Sequence, residues 1–114
     1  MQLRIPAGIT IPDDVESHDW LGTGKIGTLL VPDSILGISM KKAGYIHDKM
    51  YEAQYPKEFC DKIFRYNMNV LIQNSGKSMI IRSNAREIAQ FYYLMVDWFG
   101  QSAYDACKPS EDDK

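Results

Sequence analysis

Cysteine, long apolar runs and an excess of charge of one sign are all scarce in this sequence. It contains only two cysteines, Cys60 and Cys107, whereas small secreted domains that depend on disulfides usually have about four to eight. Free cysteines are among the most frequently buried residues. One disulfide bridge stays possible, but we predict two buried free thiols and folding in a reducing compartment.

No segment reaches the roughly 20 consecutive apolar residues of a membrane-spanning helix, and residues 1–12 do not resemble a signal peptide. We expect synthesis in the cytoplasm without a signal peptide, and no transmembrane segment. The net charge is −2, whereas nucleic-acid binding requires a strongly basic face. We therefore expect no nucleic-acid partner.

The hydrophobic pattern predicts a mainly α fold, a small three-helix domain with an N-terminal extended arm and a long Gly-rich loop. Residues 1–108 are expected to form a single domain, and residues 109–114 a flexible tail. The arm, residues 2–11, is expected to be a short strand or an extended segment, and the loop covers residues 12–34. Loops of this length are often functional.

Three helices are predicted from apolar residues that recur at steps of three and four. The first begins after Asp33 or Ser34. The second runs from about Lys57 to Gln73, between a proline that ends the first helix and a glycine suited to a C-terminal cap. Residues 78–82 are expected to be a strand or an extended link, and the third helix is expected to begin at Asn84, which forms a capping box with Glu87. The core stripe of the first helix is predicted to contain Leu36, Met40, Ala43, His47 and Met50, and that of the second Phe59, Ile63, Tyr66 and Val70. The stripe of the third is predicted to contain Ile88, Tyr92, Met95, Phe99 and Ala103. Gly100, inside the third predicted helix, is expected to be a weak spot or a close-packing point.

His47 and Asp48 are adjacent on the first predicted helix, so their side chains point about 100° apart and address different targets. A histidine on the buried face suits a general base near neutral pH, and it needs an acceptor that fixes its tautomer. Because the connection at Pro56 is short, the first two helices are expected to be antiparallel neighbours. Asp61 is therefore the candidate acceptor, and Asp97 on the third helix is its competitor.

Asp48 is predicted to hold a hard cation, since calcium accepts carboxylate oxygens together with backbone carbonyls. The segment WLGTGKIG, residues 20–27, can offer such carbonyls because glycine folds around an ion at positive φ. Each feature also has an ordinary explanation that stays open. The glycines can form a turn, His47 can be a core residue, and Asp61 can pair with Arg65 on the surface.

At these residues the chain resembles the phospholipase A2 superfamily. The family's helix motif is His-Asp-x-x-Tyr, and its calcium loop is an aromatic residue followed by Gly-x-Gly. The matching residues are His47, Asp48 and Tyr51 of the helix and Trp20, Gly22 and Gly24 of the loop. Disulfide-poor domains of parvovirus capsid proteins, and phage or prophage proteins with a similar His-Asp helix, are the most similar in style. The resemblance covers residues 20–68; Met50 replaces a cysteine of the secreted family, and the stretch from loop to helix is longer than usual.

The resemblance implies calcium-dependent hydrolysis of a phospholipid acyl ester, with a phospholipid or membrane surface as the substrate. It assigns catalysis to His47, which takes a proton from water, to Asp61, which supports it, and to Tyr51. Tyr51, and also Tyr92 or Tyr93, would hydrogen-bond the supporting carboxylate. The implied Ca²⁺ ligands are Asp48 and the carbonyls of Trp20, Gly22 and Gly24.

Two other functions stay open. A non-enzymatic phage or prophage structural or interaction protein would keep the His-Asp helix as core. A metal phosphohydrolase of the His-Asp type would use His18, His47, Asp48 and Asp97 and a transition metal. Three biological settings stay open: a part of a virion, a toxin delivered to a target cell and a housekeeping enzyme. The oligomeric state also stays open.

Overall fold

A computed structural model of the chain describes residues 1–17 and 32–107. The predicted tail, 109–114, and most of the predicted loop lie outside these ranges. In the described part, a 3₁₀ turn at Val15–Ser17 precedes an antiparallel hairpin, β1 (Ser34–Ile35) and β2 (Ile38–Ser39). Four helices follow: α1 (Lys41–Glu52), α2 (Lys57–Gln73), α3 (Met79–Phe99) and α4 (Gln101–Ala106). This confirms the small, mainly α domain, and none of these helices is long and apolar enough to cross a membrane.

The central element is α2, which packs against both α1 and α3. Its bounds agree with the prediction. Pro56 has an extended backbone (φ −51°, ψ 131°) just before the helix, and Gly76 takes a left-handed conformation (φ 76°) shortly after it. One core cluster lies among α2, α3 and the hairpin, and a second joins α1 to the first turns of α2. Their largest fully buried apolar side chains are Met40, Phe64, Met68 and Ile72 in the first and Ile46, Met50 and Tyr51 in the second.

The first helix begins later than predicted, at Lys41 and not after Asp33 or Ser34. The preceding residues form the hairpin, whose two turn residues, Leu36 and Gly37, both have positive φ values, 49° and 80°. Two-residue hairpin turns with positive φ at both positions match the right-handed twist of the strands. Leu36, predicted to be core, is therefore 48% exposed at the turn.

The third helix begins earlier than predicted. The Ser78 side chain accepts a hydrogen bond from the Ile81 amide at 3.2 Å and caps the helix. Residues 78–82 are thus neither a strand nor an extended link, and Asn84 lies inside α3. Phe59 and Phe99 were predicted to be core but are 44% and 59% exposed.

Gly100 separates α3 from α4 at a point of close packing. A Cβ at this position would lie 2.4 Å from the Val96 carbonyl oxygen and 2.9 Å from the Tyr51 hydroxyl. The prediction of a close-packing point is confirmed. Only glycine lets the end of α3 approach Tyr51 this closely.

The N-terminal arm is held by side-chain amides of α2 and of its C-cap residue, and it forms no strand. Asn67, which is fully buried, accepts from the Arg4 amide at 2.7 Å and donates to the Arg4 carbonyl at 3.0 Å. Asn74 donates to the Met1 carbonyl at 2.7 Å. The Asn67 amide therefore satisfies backbone groups that a neighbouring strand would otherwise pair.

Candidate active site

His47 and Asp61 meet in the interior between α1 and α2. The distance between Nε2 of His47 and Oδ1 of Asp61 is 2.8 Å, and each side chain is only 1% exposed. The helical register brings them together because His47 lies on the buried face of α1 and Asp61 lies in the first turns of α2. The imidazole also contacts the rings of Tyr51 and Phe64, at centroid distances of 4.2 and 4.7 Å.

Two further donors bind the Asp61 carboxylate. Tyr51, one turn after His47 on α1, donates from its hydroxyl to Oδ1 at 2.7 Å. Lys57, one turn before Asp61 on α2, donates to Oδ2 at 2.8 Å. A buried carboxylate is stable only when it is paired and hydrogen-bonded, and both oxygens of Asp61 meet that requirement here.

The protonation states follow from these contacts. Burial raises the pKa of Asp61, but the hydrogen bonds from His47, Lys57 and Tyr51 outweigh burial and hold this pKa below its ordinary value. An ionised carboxylate can only accept hydrogen bonds, so Nε2 of His47 donates. Burial lowers the pKa of His47 in spite of Asp61, and the imidazole is neutral near pH 7. Burial and then the hydrogen bond to Asp61 raise the pKa of Tyr51, which keeps its donor proton.

The other nitrogen of the ring, Nδ1 of His47, is buried and has no hydrogen-bond partner in the part of the chain that the structure describes. In the tautomer set by Asp61, this nitrogen carries the free lone pair. A buried polar atom without a partner costs roughly 1–3 kcal/mol, and such atoms in native proteins call for an explanation such as a catalytic role. The arrangement is that of a neutral base whose proton-accepting nitrogen is not otherwise used.

Asp48, the next residue on α1, is not among the side chains that bind Asp61 in this network. It is half-buried beside Glu52, one turn further along. Burial, followed by repulsion from Glu52, raises the pKa of Asp48 to about 6. A neighbouring negative charge disfavours the ionised form of Asp48, and a bound cation would relieve that repulsion.

The structure brings together three of the predicted site residues, His47, Asp61 and Tyr51. Asp97, the competing acid, is exposed. Its contact with the network is through its backbone oxygen, which lies 3.3 Å from Nζ of Lys57. The predicted loop ligands, Trp20, Gly22 and Gly24, lie outside the described residues, as does His18. Within residues 1–17 and 32–107, no three His, Cys, Asp or Glu side chains are grouped to hold a metal.

Three expected contacts are replaced by others. Asp61 does not pair with Arg65 on the surface, because Asp61 is buried and the Arg65 guanidinium lies over the Tyr93 ring, 5.3 Å from its centroid. Tyr93 is not among the three side chains that bind the supporting carboxylate. Tyr92 does not bind it either, since its ring packs against the first core cluster. Lys57 takes the second oxygen instead.

Sequence reasoning missed Lys57, which has the charge and position of an ordinary exposed residue in a first helical turn. Only its spacing of four residues from Asp61 gave a signal, since oppositely charged residues at that spacing are neighbours on a helix.

The thiol prediction holds in part. Cys60 is a buried free thiol, whereas Cys107 is only half-buried.

The chain was compared with known protein families, with curated proteins and with solved structures, and none of the three comparisons gives a match.

Proposed function

We propose that this chain hydrolyses an acyl ester of a phospholipid with a water molecule activated by His47, in a calcium-dependent, phospholipase A2-like reaction. The observation that carries the proposal is the state of the His47 ring. Asp61 binds Nε2 at 2.8 Å, while Nδ1 has no partner among the described residues. A general base needs this combination of an oriented ring and a free lone pair.

In this reaction Nδ1 of His47 takes a proton from water as the water oxygen attacks the ester carbonyl. The imidazolium that forms is stabilised by the Asp61 carboxylate, which stays ionised because Tyr51 and Lys57 both donate to it. His47 then returns the proton to the leaving alkoxide as the C–O bond breaks. The products are a free fatty acid and the lysophospholipid.

Calcium is the cation that the resemblance implies, and Asp48 is its proposed ligand in the described part of the chain. The crowding of Asp48 by Glu52 fits a carboxylate that binds a dication. When bound, calcium would supply positive charge for the oxyanion of the substrate. The way in which calcium is coordinated does not change the roles proposed for His47, Asp61, Tyr51 and Lys57.

The test is release of fatty acid from phospholipid vesicles by the purified chain, with calcium and with a chelator. His47→Ala and Asp48→Asn should each reduce the rate to background, while Asp97→Asn should keep the wild-type rate because that side chain is exposed. Calcium should also raise the melting temperature of the wild type and not that of Asp48→Asn, since specific binding stabilises the native state. Full activity in folded His47→Ala would refute the proposal.

One observation favours a second candidate, a non-enzymatic protein in which the same network is structural. His47 and Asp61 are each only 1% exposed, so substrate reaches Nδ1 only if the covering residues move. Buried polar networks also join helices in proteins without catalytic function. This candidate predicts no hydrolysis, no calcium-dependent melting temperature, and loss of stability as the only effect of changing His47.

A further inference from the structure

We propose that Lys57 is a positioning residue of the His47 site, which ties the Asp61 carboxylate to the C-terminal end of α3. The inference deepens the proposed function and rests on it for its kinetic consequences. Its structural content, the control of the His47–Asp61 hydrogen bond by Lys57, can be tested without any activity.

The Lys57 ammonium has three hydrogen-bond partners from two helices. It donates to Oδ2 of Asp61 at 2.8 Å, to the Val96 carbonyl at 2.9 Å and to the Asp97 carbonyl at 3.3 Å. An ammonium group has three N–H donors, so these partners use all of them. With 13% of its side chain exposed, Lys57 is largely withdrawn from solvent and its position is strongly restricted.

The two carbonyls are in the last turn of α3, where the helix dipole is negative. The Val96 oxygen also accepts from the Gly100 amide at 2.9 Å, and its second lone pair binds the ammonium. A cation is favoured there without any contribution from Asp61. Lys57 is thus anchored by α3, and the anchored ammonium in turn fixes Oδ2 of Asp61. The other oxygen, Oδ1, is left facing His47 and Tyr51.

The same end of α3 also sets the position of Tyr51. Gly100 follows the helix directly, and the absence of a Cβ there makes room for the Tyr51 hydroxyl. Two of the three donors to Asp61 are therefore positioned by one helix end. The third, Nε2 of His47, is the one whose proton determines which ring nitrogen is the base.

The consequence of losing Lys57 follows from charge. Without the ammonium, Asp61 would be a buried carboxylate with only neutral donors, which favours its protonated form or rotation towards solvent. Either change weakens the bond that holds the proton on Nε2. In metal sites, losing a residue that orients a ligand typically lowers affinity or activity about ten- to hundredfold, and we expect an effect of the same order for a residue that orients the acid of a general base.

The test compares Lys57→Met with Lys57→Arg and with a matched control, Lys62→Met. Lys62 is on the same helix and also pairs with an acid four residues away, Glu58, at 3.0 Å, but this pair is exposed. The first readout is the ¹H NMR resonance of the His47 Nε2 proton, which a hydrogen bond to a carboxylate moves far downfield. We expect it in the wild type, in Lys57→Arg and in Lys62→Met, and we expect it shifted upfield or lost in Lys57→Met.

The second readout is the kinetics of hydrolysis of a short-chain phospholipid in calcium. Lys57→Met should lower kcat about ten- to hundredfold and leave KM within about twofold, because an interaction that matters only in the transition state changes kcat. Lys57→Arg should recover most of the rate. A purely structural lysine would change the melting temperature without this split between kcat and KM.

An unshifted Nε2 proton in Lys57→Met would overturn the inference, and so would a wild-type kcat in that variant. If Lys57→Met does not fold, Lys57→Gln takes its place with the same expected spectrum, since its neutral amide cannot replace the charge. If the wild type shows no hydrolysis, the proposed function fails, and the NMR comparison alone decides the role of Lys57.

Discussion

A hydrogen bond of 2.8 Å between Nε2 of His47 and Oδ1 of Asp61 joins α1 to α2 at a point sealed from solvent. Asp61 is also the counterion of Lys57. A neutral side chain in place of the Asp61 carboxylate would therefore leave the Lys57 charge without its partner. Changes at Asp61 should therefore affect the stability of the fold as well as the state of the His47 ring.

Asp61→Asn should destabilise the protein by about 3 kcal/mol, since removing one partner of a buried ion pair leaves the other charge uncompensated. Urea unfolding followed by circular dichroism measures this loss. Asp97→Asn, on the exposed face of α3, is the control and should change stability by less than about 0.5 kcal/mol. Equal effects of the two substitutions would contradict the assignment of Asp61 as the buried acid.

Gly100→Ala should destabilise the fold by about 1–3 kcal/mol through overpacking. The added Cβ would lie 2.9 Å from the Tyr51 hydroxyl and 2.4 Å from the Val96 carbonyl oxygen. Tyr51→Phe removes the first of these contacts, so the double variant should lose less stability than the sum of the two single variants. A double-mutant cycle by urea unfolding measures the coupling, and strict additivity would show that Gly100 and Tyr51 do not meet.

Asp48 should make the protein less stable as the pH rises. Burial and then Glu52 raise its pKa from 3.8 to about 6, so between these values the folded state binds the proton more tightly than the unfolded state. The stabilising contribution of this group is complete below the unfolded pKa and is lost as the pH passes through about 6. Asp48→Asn should therefore be more stable than the wild type at pH 8, by about 1 kcal/mol after solvent screening.

The measurement for Asp48 is urea unfolding of both proteins at pH 4 and pH 8 in the presence of a chelator. The difference in unfolding free energy between the two proteins should be larger at pH 8. If the difference is the same at both pH values, the carboxyl of Asp48 does not have a raised pKa.

Cys60 should be unreactive in the native protein. Burial, and then the charge of Asp61, raise the pKa of this thiol to about 12, and only the thiolate reacts readily. With a disulfide reagent at pH 8, Cys60 should be labelled at the rate of unfolding and promptly in urea. Rapid native labelling of Cys60, identified by mass spectrometry, would contradict its burial in the second core cluster.

The parts of the fold that the sequence predicts best are those with strong local signals. Pro56 and Gly76 bracket α2, so its bounds were predicted correctly, and the short turn after α1 was enough to place Asp61 opposite His47. The start of α1 was wrong because Leu36 has a positive φ in the hairpin turn, which is unusual for a leucine. No local pattern indicates that conformation.

Long-range contacts account for the rest. Lys57 binds backbone oxygens of Val96 and Asp97, about 40 positions away in the chain, and a lysine in a first helical turn gives no sign of such partners. Asn67 similarly holds the arm through the backbone of Arg4. For α3, the capping box led to a predicted start at Asn84, and Ser78 was not considered as a cap. Ser78 is used, while the box at Asn84 lies inside a helix stabilised by its packing against α2.

The most direct test of the account is the position of the proton on the His47 ring, measured by ¹⁵N chemical shifts and long-range ¹H–¹⁵N correlations near neutral pH. The account predicts a neutral ring with the proton on Nε2, bonded to Asp61, and with Nδ1 unprotonated and free to accept a proton from water. A proton on Nδ1, or a doubly protonated ring at that pH, would contradict it.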